Sequence, residues 1–166
     1  VLFRSEELGA RQSLEFLREI DSINQRARQR MIDLVRLDVG QDLKGKKIAV
    51  LGAAFKPDSD DVRDSPALDI AVQIHAAGAD VWVHDPKAIE PARKRFPGLH
   101  YESAIDSCIA HADAILHLTE WKIYRDIDPV SAKKLVKSAT IIDGRNSLNR
   151  ELWVQAGWKF RALGRS

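Results

Sequence analysis

Apolar residues along the chain keep two different rhythms, one after the other. From about position 6 to 43 they recur every three or four places, as Leu14, Leu17, Ile20, Ile23, Ala27, Met31, Leu34 and Leu37. That spacing winds onto one stripe of an α-helix, and Arg, Gln, Glu and Asp occupy the opposite positions. No glycine or proline interrupts the run between Gly9 and Gly40. The pattern predicts one long amphipathic helix. Such a helix cannot bury its stripe against itself, so a neighbouring domain or another chain must cover it.

Past Gly45 the rhythm changes to short apolar runs alternating with helical stretches. Strands are predicted at 46–52, 80–84, 99–102, 114–118, 140–143 and 158–163. Helices are predicted at 66–78, 87–96, 103–111, 131–137 and 149–156. Ser65-Pro66 opens the first of these helices as a cap followed by proline, and Ser103 is a candidate cap for the third. The alternation predicts an α/β fold: a doubly wound, Rossmann-like parallel sheet, helices on both faces, preceded by the long helix. The division falls near Gly40 to Gly45, which gives a helical segment over 1–43 and a Rossmann-like domain over 44–166.

Charge narrows the function. The 26 Lys and Arg are interleaved with 24 Asp and Glu, for a formal net charge of +2. No basic stripe marks a nucleic-acid surface. No apolar run approaches the roughly 20 residues of a membrane span, and nothing after residues 1–5 resembles a signal peptide. The single cysteine, Cys108, excludes an internal disulfide framework and fits the cytoplasm. Its neighbours Ile105 and Ile109 mark it as a small buried residue. Five histidines show no zinc-ligand spacing, so no metal is expected.

In open parallel sheets, ligands bind beyond the carboxyl ends of the strands. The first such turn, Gly52-Ala53-Ala54-Phe55-Lys56-Pro57-Asp58-Ser59-Asp60-Asp61-Val62-Arg63-Asp64-Ser65-Pro66, is not the GxGxxG cradle of a dinucleotide site. It offers Lys56, a point charge suited to an anion, and Arg63, which can grip a phosphate in bidentate fashion. Composition alone favours another reading, in which these charges pair with the loop's own aspartates. Asp85 sits where a dinucleotide fold places its ribose-binding acid, but without the glycine turn a structural role is preferred. Glu120 and Trp121 either line the cleft or serve as a helix-start acid and a packed indole.

The run GAAFKPDSDDVRDSPAL resembles the opening of the carboxy-terminal domain of the UDP-glucose/GDP-mannose dehydrogenase family. His84-Asp85-Pro86, Leu118-Thr119-Glu120-Trp121 and Asp143-Gly144-Arg145-Asn146 follow in the family's order. Asn24-Gln25-Arg26 lies in a helix similar to the family's long central helix. The combination of AAFKPDSDDVRDSPALD, HLTEW and DGRNSL with the ending GWKFRALGR resembles bacterial UDP-glucose dehydrogenases, with UDP-N-acetylhexosamine and GDP-mannose enzymes as alternatives. The resemblance implies a UDP-sugar-binding domain that pairs into a homodimer through the helix. NAD and the nucleophilic cysteine then belong to an amino-terminal domain, and no residue of this chain is catalytic. Phe55, Lys56 and Arg145 match substrate-binding positions, and Arg63 matches an arginine that reaches NAD. For Phe55 a core position at the strand end is the competing reading. A different class of function, an assembly module without a ligand of its own, rests on the helix stripe. A receiver-like domain would use Asp60, Asp61, Asp85 and Asp143 instead.

The chain by itself is expected to form no NADH from UDP-glucose and NAD. Absorbance at the NADH band rising above a buffer blank would contradict this.

Overall fold

A computed structural model describes residues 11–164, with side chains from Glu15 onward. Six strands form one parallel sheet: β1 (Lys47–Leu51), β2 (Asp80–His84), β3 (His100–Tyr101), β4 (Ala114–His117), β5 (Thr140–Asp143) and β6 (Lys159–Ala162). Their spatial order is β3-β2-β1-β4-β5-β6. The chain starts in the middle, winds outward through β2 and β3, then returns to lay β4, β5 and β6 on the other side. This is the doubly wound order with a switch point between β1 and β4. A receiver domain has order 2-1-3-4-5, so that reading is excluded. The register sets Leu51 beside both His84 and His117, and His117 beside Asp143. The last residues of the four central strands therefore line up along one edge.

β1, β4 and β5 are buried almost throughout, as expected of strands covered on both faces. The covering helices are α1 (Arg11–Val39), α2 (Pro66–Ala76), α3 (Ile89–Arg95), α4 (Ile105–Ile109), α5 (Lys122–Arg125), α6 (Pro129–Lys133) and α7 (Arg150–Gln155). Local chemistry explains three of the starts. Ser65 caps α2, with proline at the first helical position, and Asn149 caps α7. Asp128 accepts from the amides of Val130 and Ser131 and starts α6 two residues ahead of the expected position. Ser103 is not a cap: α4 begins at Ile105 behind Ala104, with no side-chain cap bond. The single turn α5 was not foreseen.

The long helix stops at Val39, short of the expected residue 43. Gly40 turns the backbone to φ 126°, a conformation that glycine adopts without steric cost. Leu43 then folds back into the core. Expected helix positions 6–10 lie outside the described residues. The carboxyl half of α1 is part of the domain core: Met31, Ile32 and Val35 are all at most 3% exposed. Each such burial contributes about 1.5–3 kcal/mol. Two ionic ties fix the helix. Arg28 Nη1 donates to Asp69 on α2 at 2.9 Å. The fully enclosed Asp38 carboxylate receives Arg161 at 2.7 and 2.8 Å and Lys159 at 2.8 Å, both from β6. The stripe is covered only in part. Phe16, Ile23 and Leu37 are more than half exposed, at 68, 53 and 61%.

Candidate functional site

The turn after β1 is held by a run of hydrogen bonds until it reaches Phe55. Gly52 N donates to His84 O at 2.8 Å. Its φ is 107°, and a Cβ there would fall 2.4 Å from the Thr119 side chain, so only glycine fits between β1 and the β4 turn. Ala53 and Ala54 N–H donate to the Asp85 carboxylate at 2.8 and 3.0 Å. Ser65 Oγ donates to Ala53 O at 2.7 Å, and Thr119 Oγ1 donates to Ala54 O at 3.0 Å. Phe55 N completes the set with Asp61 O at 2.8 Å. The burial pattern switches at that point: Leu51 to Ala54 are buried, whereas Phe55 and Lys56 are exposed.

Asp85 takes five N–H donors. Besides Ala53 and Ala54, its oxygens accept from Trp121 Nε1 at 3.2 Å and from the amides of Lys87 and Ala88 at 2.9 and 2.8 Å. A buried carboxylate so occupied has no capacity left for a ribose. The structural role preferred from the sequence is the observed one. Trp121 is likewise a packed indole, 6% exposed.

Asp143 does the same work at the end of β5. Its carboxylate accepts from Arg145 N and Leu148 N, and from the buried His117 ring at Nδ1, each at 2.9 Å. Burial alone would push this carboxyl upward. The His117 bond and the two amides outweigh burial and hold it below the ordinary carboxylate range. Tyr124 fills the floor between, edge-on to His84 and His117. Its hydroxyl donates to His84 O at 2.9 Å. Burial lowers the His84 pKa and raises that of Tyr124, so both rings are neutral near pH 7.

Phe55, Lys56 and Arg145 converge on one groove of ≈ 380 Å³ between the strand ends and helix α1. Met31, Pro66, Ile70 and Leu118 supply an apolar wall. Phe55 is 54% exposed, which removes the core reading: Ala53 and Ala54 already occupy the space under the turn. The Lys56 ammonium has no hydrogen-bond or ionic partner among the described residues. Arg145 meets Glu120 through Nε and Nη2, the latter at 2.9 Å. Glu120 is therefore an ion-pair partner and not a helix-start acid, and Arg145 holds its carboxyl below the usual range.

Arg63 is not brought to the groove. It pairs within its own loop, donating Nε and Nη2 to Asp61 at 3.0 and 2.8 Å. That contact lowers the Asp61 carboxyl to about 2. For Arg63, pairing inside the loop is what the structure has; for Lys56 it is not. The sequence reading missed Asn24 and Arg28 of α1, which also line the groove. Their signal was available: positions 24, 28, 31 and 35 share one helical stripe, polar where it meets the groove and apolar beyond.

The residues lining the groove include three cations (Lys56 without a partner among the described residues, Arg28 and Arg145 each paired to one carboxylate), an aromatic ring and an apolar wall, but no cysteine, histidine or carboxylate. Cys108 is elsewhere and buried, with its thiol pushed up to about 12 by burial. The arrangement suits binding of an anion attached to a flat or apolar group. The β1 turn itself is not the glycine cradle of a dinucleotide fold, since Thr119 fills the space against Gly52. Among the described residues no group of three or more acidic, His or Cys side chains is placed to hold a metal ion, and no helix is long and apolar enough to cross a membrane.

Residues 49–150 match the model of the UDP-glucose/GDP-mannose dehydrogenase family, UDP binding domain. The chain is 35% identical over 144 residues to UDP-glucose 6-dehydrogenase of Rhizobium meliloti (strain 1021), covering 87% of this chain and 33% of that protein. It is 38% identical over 144 residues to UDP-glucose 6-dehydrogenase TuaD of Bacillus subtilis (strain 168), covering 86% and 31%. Among solved structures it resembles NDP-N-acetyl-D-galactosaminuronic acid dehydrogenase of Methanosarcina mazei Go1 (TM-score 0.71, 30% identity, 84% of this chain and 29% of that one). It shares its fold with a UDP-glucose dehydrogenase of Pyrobaculum islandicum (TM-score 0.75, 24% identity, 93% and 34%). The chain thus spans about a third of the length of these relatives.

Replacing Asp143 by Asn strands the partners of a buried carboxylate and should destabilise the domain by about 3 kcal/mol at pH 7. Because the folded carboxyl titrates lower than the unfolded one, its contribution is complete above about pH 4 and fades as pH falls further. Urea denaturation of both proteins at pH 7 and at lower pH checks this: the gap should narrow with acid, and a gap that does not change with pH would contradict it.

Proposed function

Because the chain belongs to the UDP-glucose/GDP-mannose dehydrogenase family and carries its UDP-binding domain, we propose that the groove holding Phe55, Lys56 and Arg145 binds the UDP-sugar substrate of an NAD-dependent UDP-glucose 6-dehydrogenase. The observation that carries this reading is the convergence of those three residues, from turns 90 positions apart in sequence (55 to 145), on one groove with an unpaired ammonium. Lys56 faces the diphosphate or the sugar. The Arg145 guanidinium adds a second cation, and the Phe55 ring shapes the wall. With cationic side chains and no carboxylate among its lining residues, the groove suits an anionic ligand.

The whole protein, in this reading, oxidises UDP-glucose to UDP-glucuronate in the cytoplasm by two hydride transfers to NAD. NAD is held mainly by a domain that the family places ahead of this one. The residues of this chain do not build its cradle, and Arg63, at the exposed rim, is the assigned contact toward it. The 1–43 segment is assigned to pairing of two copies and 44–166 to UDP-sugar binding. The nucleotide sugar itself is assigned on the similarity to UDP-glucose 6-dehydrogenases. A relative acting on an N-acetylated sugar keeps UDP-N-acetylhexosamines as the alternative.

A second reading is favoured by the exposed apolar residues of α1: an assembly module whose helix meets a second copy and which binds nothing by itself. A large apolar patch rarely stays uncovered, so self-association accompanies either reading. Calorimetric titration with UDP-glucose separates them. The binding reading expects saturable heat, an affinity weakened roughly tenfold or more in Lys56→Ala, and no competition from NAD. Absence of any binding at millimolar UDP-glucose, with size rising with protein concentration by light scattering, would replace it with the assembly reading.

A further inference from the structure

We propose that Glu120 is the positioning residue for Arg145, fixing the guanidinium so that its outer edge is presented to the anionic part of the ligand. The proposal rests on the groove being the UDP-sugar site. The geometry behind it is specific. Arg145 stands on the turn just past β5, and Glu120 stands on the turn just past β4, the adjacent strand. The backbone of Arg145 is held by Asp143 at 2.9 Å. Its side chain is held by both oxygens of Glu120, at Nε and Nη2. Five N–H donors project from a guanidinium. The Glu120 contact uses the Nε edge, and no described residue accepts from Nη1.

Stability does not account for this pair. The two side chains are 40 and 31% exposed, and ion pairs open to water contribute little to folding. What the pair does is remove freedom. An arginine on a loop otherwise samples many rotamers, and a planar bidentate contact leaves it one orientation. The cost of ordering the side chain is then met before the ligand arrives, which is how pre-organisation raises affinity. Removing Glu120 also removes a negative charge beside the groove. That change alone would tighten anion binding, so the two roles predict opposite signs.

The test is UDP-glucose binding by calorimetry on the full chain, for wild type, Glu120→Ala, Glu120→Gln, Arg145→Ala and the double Ala variant. Positioning predicts that Glu120→Ala weakens binding roughly tenfold, with melting temperature unchanged. Glu120→Gln, which keeps one acceptor oxygen, should recover part of the loss. In the Arg145→Ala background, removing Glu120 should change nothing further. Equal or tighter binding by Glu120→Ala, beside a loss in Arg145→Ala, overturns this proposal and leaves the site reading intact. Undiminished binding by Arg145→Ala overturns this proposal as well, and no binding by wild type overturns the site reading with it.

Discussion

The arrangement of this domain depends on where its buried backbone N–H groups go once the strands end. A sheet satisfies its own hydrogen bonds, but the turns leaving it do not, and a buried unpaired N–H costs about 1–3 kcal/mol. Asp85 answers this for the turns after β1 and β2 by accepting four amides and an indole. Asp143 answers it for the turn after β5, with two amides and the His117 ring. Both carboxylates sit where two or more turns meet. Asp85 is fully used, and Asp143 is completely buried behind its three donors, so neither is presented to a ligand or a phosphoryl group.

The consequence is a rigid rim from which only a few side chains escape. Ala53 and Ala54 are pinned by Asp85, Ser65 and Thr119, so the chain surfaces abruptly at Phe55 and Lys56. Arg145 surfaces in the same way, one residue pair beyond Asp143. Helix α1 closes the remaining side, tied by Arg28 to Asp69 and by Asp38 to Lys159 and Arg161. The groove is thus a by-product of backbone satisfaction, lined by cations that the backbone scheme does not consume. Binding residues on turns held by a stiff scaffold are a recurrent arrangement.

The short apolar runs and the helical period carried the sheet, its parallel class and the long helix, because continuous buried strands and a helix of many turns leave strong patterns. The ends were less legible. α5 is one turn and leaves no period to read, and Asp128-Pro129, a cap and first-turn proline, was passed over in favour of Ser131. The structural role of Asp85 followed from the missing glycine cradle. The meeting of Phe55, Lys56 and Arg145 did not follow from residue patterns and came from the family resemblance. Composition favoured pairing of the loop charges, and that is true of Arg63 and Asp61 but not of Lys56. The Glu120–Arg145 contact spans 25 positions and exists only because β4 and β5 are neighbours, a fact of topology that no local pattern records.

The most direct test of the account is an amide-shift map of the labelled chain during addition of UDP-glucose. The account predicts changes confined to Phe55, Lys56, Arg145 and the facing turn of α1 around Asn24 and Arg28, with the amides held by Asp85 and the outer strands unmoved. Changes centred elsewhere, or none at millimolar ligand, would contradict the assignment of this groove as the UDP-sugar site.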